Sequence, residues 1–157
     1  MKDTVRAGFN FGLTSGIITT LGLMVGLHSS TQSDYVVMGG ILTIAVADAL
    51  SDSIGMHFAI ESQNKHSKQE IWEGTFSTMF YKFLFSSIFI VPVLLLELHK
   101  AIIISVMIGM YLIFANSLFL ARKQDLPPST VIIEHLALTM AVVLASHFIG
   151  LGISFLF

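Results

Sequence analysis

The sequence predicts an all-α integral membrane protein, a bundle of five transmembrane helices. Of its 157 residues, 54% are hydrophobic and only 11% are charged, whereas roughly a quarter of the residues of a soluble domain are charged. The apolar residues also fall into five runs, each long enough to cross a bilayer, which takes about 20 residues. These runs cover residues 7–28, 35–61, 76–97, 100–121 and 129–156. Little chain is left over, so we expect one transmembrane domain over residues 1–157.

Basic residues orient the predicted spans. Only Lys100 falls in the loops on one side of the membrane. Six basic residues fall on the other side: Lys2, Arg6, Lys65, Lys68, Arg122 and Lys123. Because Lys and Arg accumulate in cytoplasmic loops, we expect a cytoplasmic N-terminus and a C-terminus that is outside or lumenal. The chain would be a multi-pass protein of the cell membrane or of an internal, vacuolar membrane.

Composition excludes several functions. The formal net charge of −2 provides no basic surface, so nucleic acid is not an expected partner. The chain has no cysteine, which removes disulfides, thiolate metal sites and thiol catalysis. No prosthetic group is implied. We also expect no enzyme, because the paired aspartates described below share one helix, unlike those of membrane aspartyl proteases.

A stripe of small residues marks the first span. Its glycines are spaced to lie on one side of a helix: Gly8, Gly12, Gly16, Gly22 and Gly26. Such a stripe lets helix backbones approach closely, so it predicts a packing seam against another span or another subunit. Alternatively, the same face borders a hydrophilic path with the hydroxyls of Ser15 and Thr19. Both interpretations hold together if the path follows a subunit seam.

The second span carries two carboxylates, Asp48 and Asp52, near its middle. An acid at the centre of a membrane helix costs about 2.5–3.5 kcal/mol on insertion scales, so it usually faces an ion, a partner or water. Helical spacing places Ser51 and Met56 on the same face and turns His57 away. Two carboxylates and a thioether can bind a divalent ion, and two close carboxylates can also carry protons. The alternative is a pair of protonated acids that serves fold specificity alone.

The third and fourth spans are rich in Phe, Ile and Leu and are expected to be scaffold. Pro92 should kink the third span or mark its end. Lys82, at the start of that span, either extends toward the interface or pairs with an acid. In the fifth span, Glu134 and His135 either extend a proton or cation route, or Glu134 pairs with Lys82.

Two stretches resemble a known family. Phe9-Asn-Phe-Gly-Leu-Thr-Ser-Gly-Ile-Ile-Thr-Thr-Leu-Gly-Leu-Met-Val-Gly-Leu27 and Gly39-Gly-Ile-Leu-Thr-Ile-Ala-Val-Ala-Asp-Ala-Leu-Ser-Asp-Ser-Ile-Gly55 resemble the first two spans of the vacuolar iron transporter family. The resemblance implies a five-span subunit that forms a homodimer. It also implies export of ferrous or similar divalent ions from the cytoplasm in exchange for protons. The path would follow the dimer seam, which the first two spans line.

The chain departs from the family pattern at its ligands. The family's first-span acid falls on Ser15, its second-span methionine on Asp52 and its glutamate on Met56. Asp48 alone matches as an acid. The linker between the second and third spans is also short, whereas many family members carry an acidic metal-binding domain there.

The leading hypothesis is therefore a homodimeric transporter of a divalent transition-metal ion, with Fe²⁺ or Mn²⁺ favoured by oxygen-rich ligands. Asp48, Asp52 and Met56 would bind the ion. Residues of the proton and ion pathway would be Ser15, Thr19, Ser51, Glu134 and His135. The alternative is a non-transporting membrane assembly module in which the acids are structural.

Overall fold

A computed structural model describes residues 2–156, and five long helices follow one another along this part of the chain. They are α1 (Asp3–Thr31), α2 (Asp34–Glu61), α3 (Lys68–Leu95), α4 (Leu98–Lys123) and α5 (Pro128–Leu156). Each is long and apolar enough to cross a membrane. The predicted all-α fold with five candidate spans is confirmed.

The helix starts differ from the predicted spans. α1 begins at Asp3 instead of residue 7, and α3 begins at Lys68 instead of residue 76. Ser67 explains the second difference, because it forms a capping box with Glu70. The Ser67 backbone N–H donates to Glu70 Oε2 at 2.9 Å, and the Glu70 N–H donates to Ser67 Oγ at 3.3 Å. Such a cap starts a helix in polar sequence, ahead of the apolar run.

α3 is interrupted near its end. Regular α-helix covers Lys68–Ser87 and resumes over Ile90–Leu95. The interruption lies four residues before Pro92, where the proline ring clashes with the carbonyl of the preceding turn and offers no N–H. Pro92 was expected to kink the third span or to mark its end, and the structure shows an interruption of regular helix one turn before it.

α2 contains one wide turn. Its α-helical parts, Asp34–Thr43 and Ala49–Glu61, are joined by a π-helical turn over Ile44–Asp48. The Ala49 N–H donates to the carbonyl of Ile44, five residues back. A π-turn adds one residue to a helix and often occurs beside a functional group. Here it ends on Asp48.

The described chain packs as two compact units. The first unit contains the chain up to Thr20 together with Gly39–Val91, and the second contains Leu21–Met38 together with the chain from Pro92 onward. Buried apolar side chains form the interior of each unit. Those of the first unit include Leu13, Ile17, Ile41, Ala45, Ala49, Ile60 and Ile71. Those of the second unit include Leu21, Met24, Val37, Ile102, Ile113 and Val143.

In the first unit, glycines of α1 meet the backbone of α3. A Cβ added at Gly8 would lie 2.5 Å from the Gly74 carbonyl oxygen, and one added at Gly12 would lie 2.8 Å from the Thr78 carbonyl oxygen. A Cβ at Gly16 would lie 3.0 Å from the Lys82 carbonyl oxygen. The two helices therefore touch backbone to backbone.

The second unit repeats this packing between α1 and α5. A Cβ on Gly22 would lie 3.1 Å from Ser146 Oγ, and one on Gly26 would lie 3.3 Å from the Ser146 carbonyl oxygen. All five glycines that were predicted to form a dimer seam thus pack against helices of the same chain. A seam between subunits requires a different face, because this one is already covered.

Replacing Gly12 with alanine should destabilise the first unit. The new Cβ would overlap the α3 backbone, and overpacking of this kind costs about 1–3 kcal/mol. The measurement is the apparent melting temperature of the purified protein in detergent. Gly152→Ala is the matched control, since nothing lies within 4 Å of its added Cβ, and it should melt at or above the wild-type temperature. Equal melting of the two variants would contradict the close approach of α1 and α3.

Candidate cation site

Lys82 of α3 is a fully buried cation in the first unit. Its Nζ lies 2.5 Å from Asp48 Oδ2 and also pairs with Asp52 Oδ2. A buried ammonium is tolerated only when it is paired and hydrogen-bonded. The acids that pair with Lys82 are therefore Asp48 and Asp52, and the alternative pairing with Glu134 is wrong. We refer to these three residues as the Asp48–Asp52–Lys82 triad.

Ser15 of α1 completes the arrangement. Lys82 Nζ donates to Ser15 Oγ at 3.0 Å, and the Ser15 hydroxyl donates to Asp52 Oδ2 at 2.7 Å. The hydroxyl of Ser15 supplies a third acceptor for the ammonium without adding a third negative charge to those of Asp48 and Asp52.

Backbone packing positions these groups. Ser15 lies between Gly12 and Gly16, whose added Cβ atoms would meet the backbone of Lys82 itself, so α1 is held against α3 at the level of the ammonium. Regular α-helix resumes at Ala49, directly after the π-turn. Asp48 and Asp52, four residues apart, consequently share one face, as the sequence predicts.

The triad is open on the carboxylate side. The Lys82 side chain is 0% exposed, whereas those of Asp48 and Asp52 are 36% and 25% exposed. Two carboxylates around one ammonium leave a net formal charge of −1. A second cation can therefore approach the carboxylates from the open side, and opposite charge within about 4–6 Å would stabilise it.

The two other residues of the predicted second-span site differ in exposure. Met56 is half-buried, like Asp48 and Asp52. Ser51 is exposed. Among the described residues, no group of three or more His, Cys, Asp or Glu side chains is arranged to hold a metal ion. Asp48 and Asp52 offer two carboxylates, and Met56 adds a thioether one turn further on.

Thr19 and His57 make local contacts in the first unit. The Thr19 hydroxyl donates to the Ser15 carbonyl at 2.7 Å, a common bond of hydroxyls within helices. The His57 Nδ1 lies 3.0 Å from Thr75 Oγ1, and its ring packs 4.7 Å from that of Trp72. His57 therefore lies apart from the triad, as predicted.

The predicted pathway residues of the fifth span belong to the second unit. Glu134 of α5 is exposed. The neighbouring His135 is half-buried, with Nδ1 at 2.8 Å from Ser117 Oγ of α4. Their place in a proton or ion route stays a prediction.

The sequence left two interpretations of Lys82 open, and its pairing with an acid is the one that the structure shows. The third span was expected to be scaffold, yet it supplies the cation around which the two acids gather. The available signal was the presence of a lysine inside a largely apolar helix, close to the level of Ser15. No pattern in the sequence predicts the π-turn at Ile44–Asp48.

Comparisons with models of known protein families, with curated proteins and with solved structures give no match. The functional argument therefore depends on the contacts described above, and the family resemblance of the first two spans stays a prediction.

Replacing Lys82 with methionine should strongly destabilise the protein. Two carboxylates would lose their shared cation, and removing one partner of a buried ion pair costs about 3–5 kcal/mol. Denaturant or thermal unfolding in detergent measures the effect. Lys100→Met is the control, because the Lys100–Glu97 pair is well exposed and such pairs contribute about 0–1 kcal/mol.

A second substitution makes this prediction specific. Asp52→Asn in the Lys82→Met background removes one of the unpaired carboxylates and should restore part of the lost stability. Additive destabilisation by the two changes would show that the residues do not interact.

Proposed function

We propose that this chain is a membrane transporter that moves a divalent transition-metal cation, with Fe²⁺ or Mn²⁺ favoured, out of the cytoplasm in exchange for protons. The Asp48–Asp52–Lys82 triad carries the proposal. Its residues lie on helices that are long and apolar enough to cross a membrane, where ionisable groups are costly and usually serve ions or protons. The membrane would be the cell membrane or an internal, vacuolar one.

The carboxylates provide the ligands. Asp48 and Asp52 both contact Lys82 through Oδ2, which leaves Oδ1 of each for an ion that arrives from the open side. Carboxylate oxygens suit Mn²⁺ and Fe²⁺, and the thioether of Met56 favours a transition metal over Mg²⁺ or Ca²⁺. The metal ion is cargo, so the site has to bind it reversibly.

Lys82 supplies the reversibility. Its ammonium holds the two carboxylates together when no ion is bound, and an incoming ion competes with it for the same two carboxylates. This competition weakens ion binding, and conduction requires a site from which the ion can leave. Asp48 and Asp52 would accept protons in the return step. Ser15, Thr19 and Ser51 would line the route beside them, and Glu134 and His135 would extend it.

A second copy of the chain would complete the site. Asp48 and Asp52 are partly exposed, and lipid cannot solvate a carboxylate. Beside them α2 presents exposed small residues at every fourth position: Gly39, Thr43, Ala47, Ser51, Gly55 and Ala59. An added Cβ at Gly39 or Gly55 meets nothing within 4 Å. A homodimer that packs on this face would shield the carboxylates, as the family resemblance also implies.

One observation favours a second candidate, a non-transporting membrane assembly module. The Lys82 ammonium has three acceptors, Asp48, Asp52 and Ser15, so the ammonium is fully satisfied without any ion. Closed polar networks of this kind can specify a unique packing. In this alternative Lys82 balances the charge of one acid, and the other acid is protonated. Transport measurements distinguish the two candidates.

The transport test uses purified protein in liposomes that contain a metal-quenched dye. Wild type should take up Fe²⁺ and Mn²⁺, and Asp48→Asn or Asp52→Asn should slow uptake by at least about tenfold, the scale on which even outer-shell changes lower metal affinity. Glu61→Gln is the matched control, an exposed acid at the end of the same helix, and should transport at the wild-type rate. Uptake by the double variant Asp48→Asn with Asp52→Asn at the wild-type rate would refute the site.

Proton coupling has its own measurement in the same liposomes. An opposing proton gradient should accelerate metal uptake by wild type, and metal uptake should be accompanied by proton movement in the other direction. Metal uptake that is indifferent to the gradient would eliminate proton exchange while leaving ion transport intact.

Substitution of Gly55 tests the homodimer. Gly55→Leu places a bulky side chain on the exposed face of α2 and should shift the chain from dimer to monomer, as measured by cross-linking or by energy transfer in liposomes. Gly152→Leu, at an equally open position of α5, should leave the dimer unchanged. Dimers that persist in Gly55→Leu would place the subunit contact elsewhere.

A further inference from the structure

An open groove lies between the start of α1 and the first half of α3, in the first unit. Its cavity volume is about 560 Å³, within the range of roughly 300–1,000 Å³ that is usual for ligand sites. Ser77 Oγ of α3 donates to the Val5 carbonyl of α1 at 2.8 Å, which joins the two helices within the groove. The rest of the lining comes from one face of α3 and consists of Gln69, Trp72, Glu73, Phe76 and Tyr81. We call this surface the α1–α3 groove.

The groove has the length and the polarity profile of one bilayer leaflet. Gln69 and Tyr81 are twelve residues apart, which is about 18 Å along a helix, and the hydrocarbon of one leaflet is about 15 Å thick. Gln69 and Glu73 are polar, whereas Phe76 and Tyr81 belong to the apolar run that begins at residue 76. An occupant with a polar head and an apolar tail therefore matches the groove from end to end.

Aromatic rings form the apolar part of the groove. The side chains of Trp72 and Phe76 are 53% and 54% exposed, and their rings stack with centroids 5.6 Å apart. Tyr81 packs edge-to-face on Phe9 of α1 at 4.7 Å. An acyl chain that leaves these rings enters lipid instead of water, so the rings provide packing but no hydrophobic gain. Selectivity has to come from the polar end.

The charges at the polar end balance one another. Lys2 Nζ lies 2.9 Å from Oε1 and 2.8 Å from Oε2 of Glu73, and Gln69 Nε2 donates to Glu73 Oε1 at 2.8 Å. The two chain segments that meet here, residues 2–6 and 68–73, carry three basic and three acidic residues and thus no net charge: Lys2, Arg6 and Lys68 against Asp3, Glu70 and Glu73. Balanced charge gives an anionic head group no advantage.

A zwitterionic head group complements this arrangement. The side chains of Lys2 and Glu73 are 49% and 29% exposed, so each charge stays accessible, and an exposed pair of this kind contributes little and opens readily. A phosphate bonds well to the Lys2 ammonium, and a head-group ammonium bonds well to the Glu73 carboxylate. The exposed ring of Trp72 adds a cation–π surface for the same ammonium.

We propose that the α1–α3 groove binds one zwitterionic phospholipid. Its phosphate lies at Lys2, its ammonium lies between Glu73 and Trp72, and one acyl chain lies over Phe76 and Tyr81. The proposal requires only that the helices span a bilayer, and it holds for either candidate function.

Trp72 is the only tryptophan of the chain, so lipids with brominated chains, which quench tryptophan fluorescence on contact, report the occupant of the groove. Full-length protein in mixed liposomes should show a preference of about threefold at Trp72 for brominated phosphatidylcholine over brominated phosphatidylglycerol, the scale of exposed charge contacts. Equal quenching by the two lipids, or stronger quenching by phosphatidylglycerol, overturns the proposal.

Reversal of one charge makes the test specific to the groove. Glu73→Lys gives the polar end a net positive charge and should reverse the preference in favour of phosphatidylglycerol. Glu61→Lys is the matched control, because it makes the same change in charge at an exposed acid outside the groove, and it should keep the wild-type preference. Reversal in both variants, or in neither, overturns the proposal.

A protein occupant is tested by Phe76→Cys, since the chain has no cysteine of its own. Phe80→Cys is the control, because Phe80 is 57% exposed on the same helix but lies outside the groove. On mild oxidation in liposomes, the two variants should form disulfide-linked dimers equally slowly. Faster cross-linking at position 76 would show that a second copy of the chain covers the groove, and this result overturns the proposal.

Discussion

The ammonium of Lys82 is the constraint on which the first unit depends. A cation that is 0% exposed has to be surrounded by acceptors, and its acceptors come from two other helices, Asp48 and Asp52 from α2 and Ser15 from α1. The ammonium can be reached from α1 only because glycines flank Ser15 and let that helix touch the backbone of α3. The acceptors that the ammonium requires and the close approach that the glycines allow therefore occur at the same level of the unit. Neither would be stable alone, since glycines in a helix cost conformational entropy and a buried charge costs solvation.

The fold could be predicted from the sequence because the hydrocarbon core of a bilayer allows few backbone structures. The thickness of a bilayer sets the length of each apolar run, and a spanning helix forms all of its backbone hydrogen bonds internally. The number and order of the helices therefore follow from composition and from the breaks between the runs. The acids of the site could be predicted for a related reason. Asp48 is the last residue of the π-turn, and regular α-helix from Ala49 carries the chain on to Asp52, so their four-residue spacing holds, and the same rule turns His57 away.

The rest of the site depends on tertiary contacts that no periodicity encodes. Spacing shows that Gly12 and Gly16 permit a close approach, but it does not show which helix approaches, and the structure places α3 there. The partners of Lys82 could not be predicted, because any acid at a similar depth, Glu134 included, satisfied the sequence argument equally.

The π-turn has a geometric consequence for the outer face of α2. In a straight α-helix, every fourth residue drifts by about 40° around the axis, so Gly39 and Ala59, five such steps apart, would lie roughly 200° apart. The extra residue of the turn at Ile44–Asp48 cuts this drift to roughly 100°. All six small residues from Gly39 to Ala59 accordingly remain exposed. These small residues therefore form an outward stripe that winds only about half as far around α2 as it would around a straight α-helix.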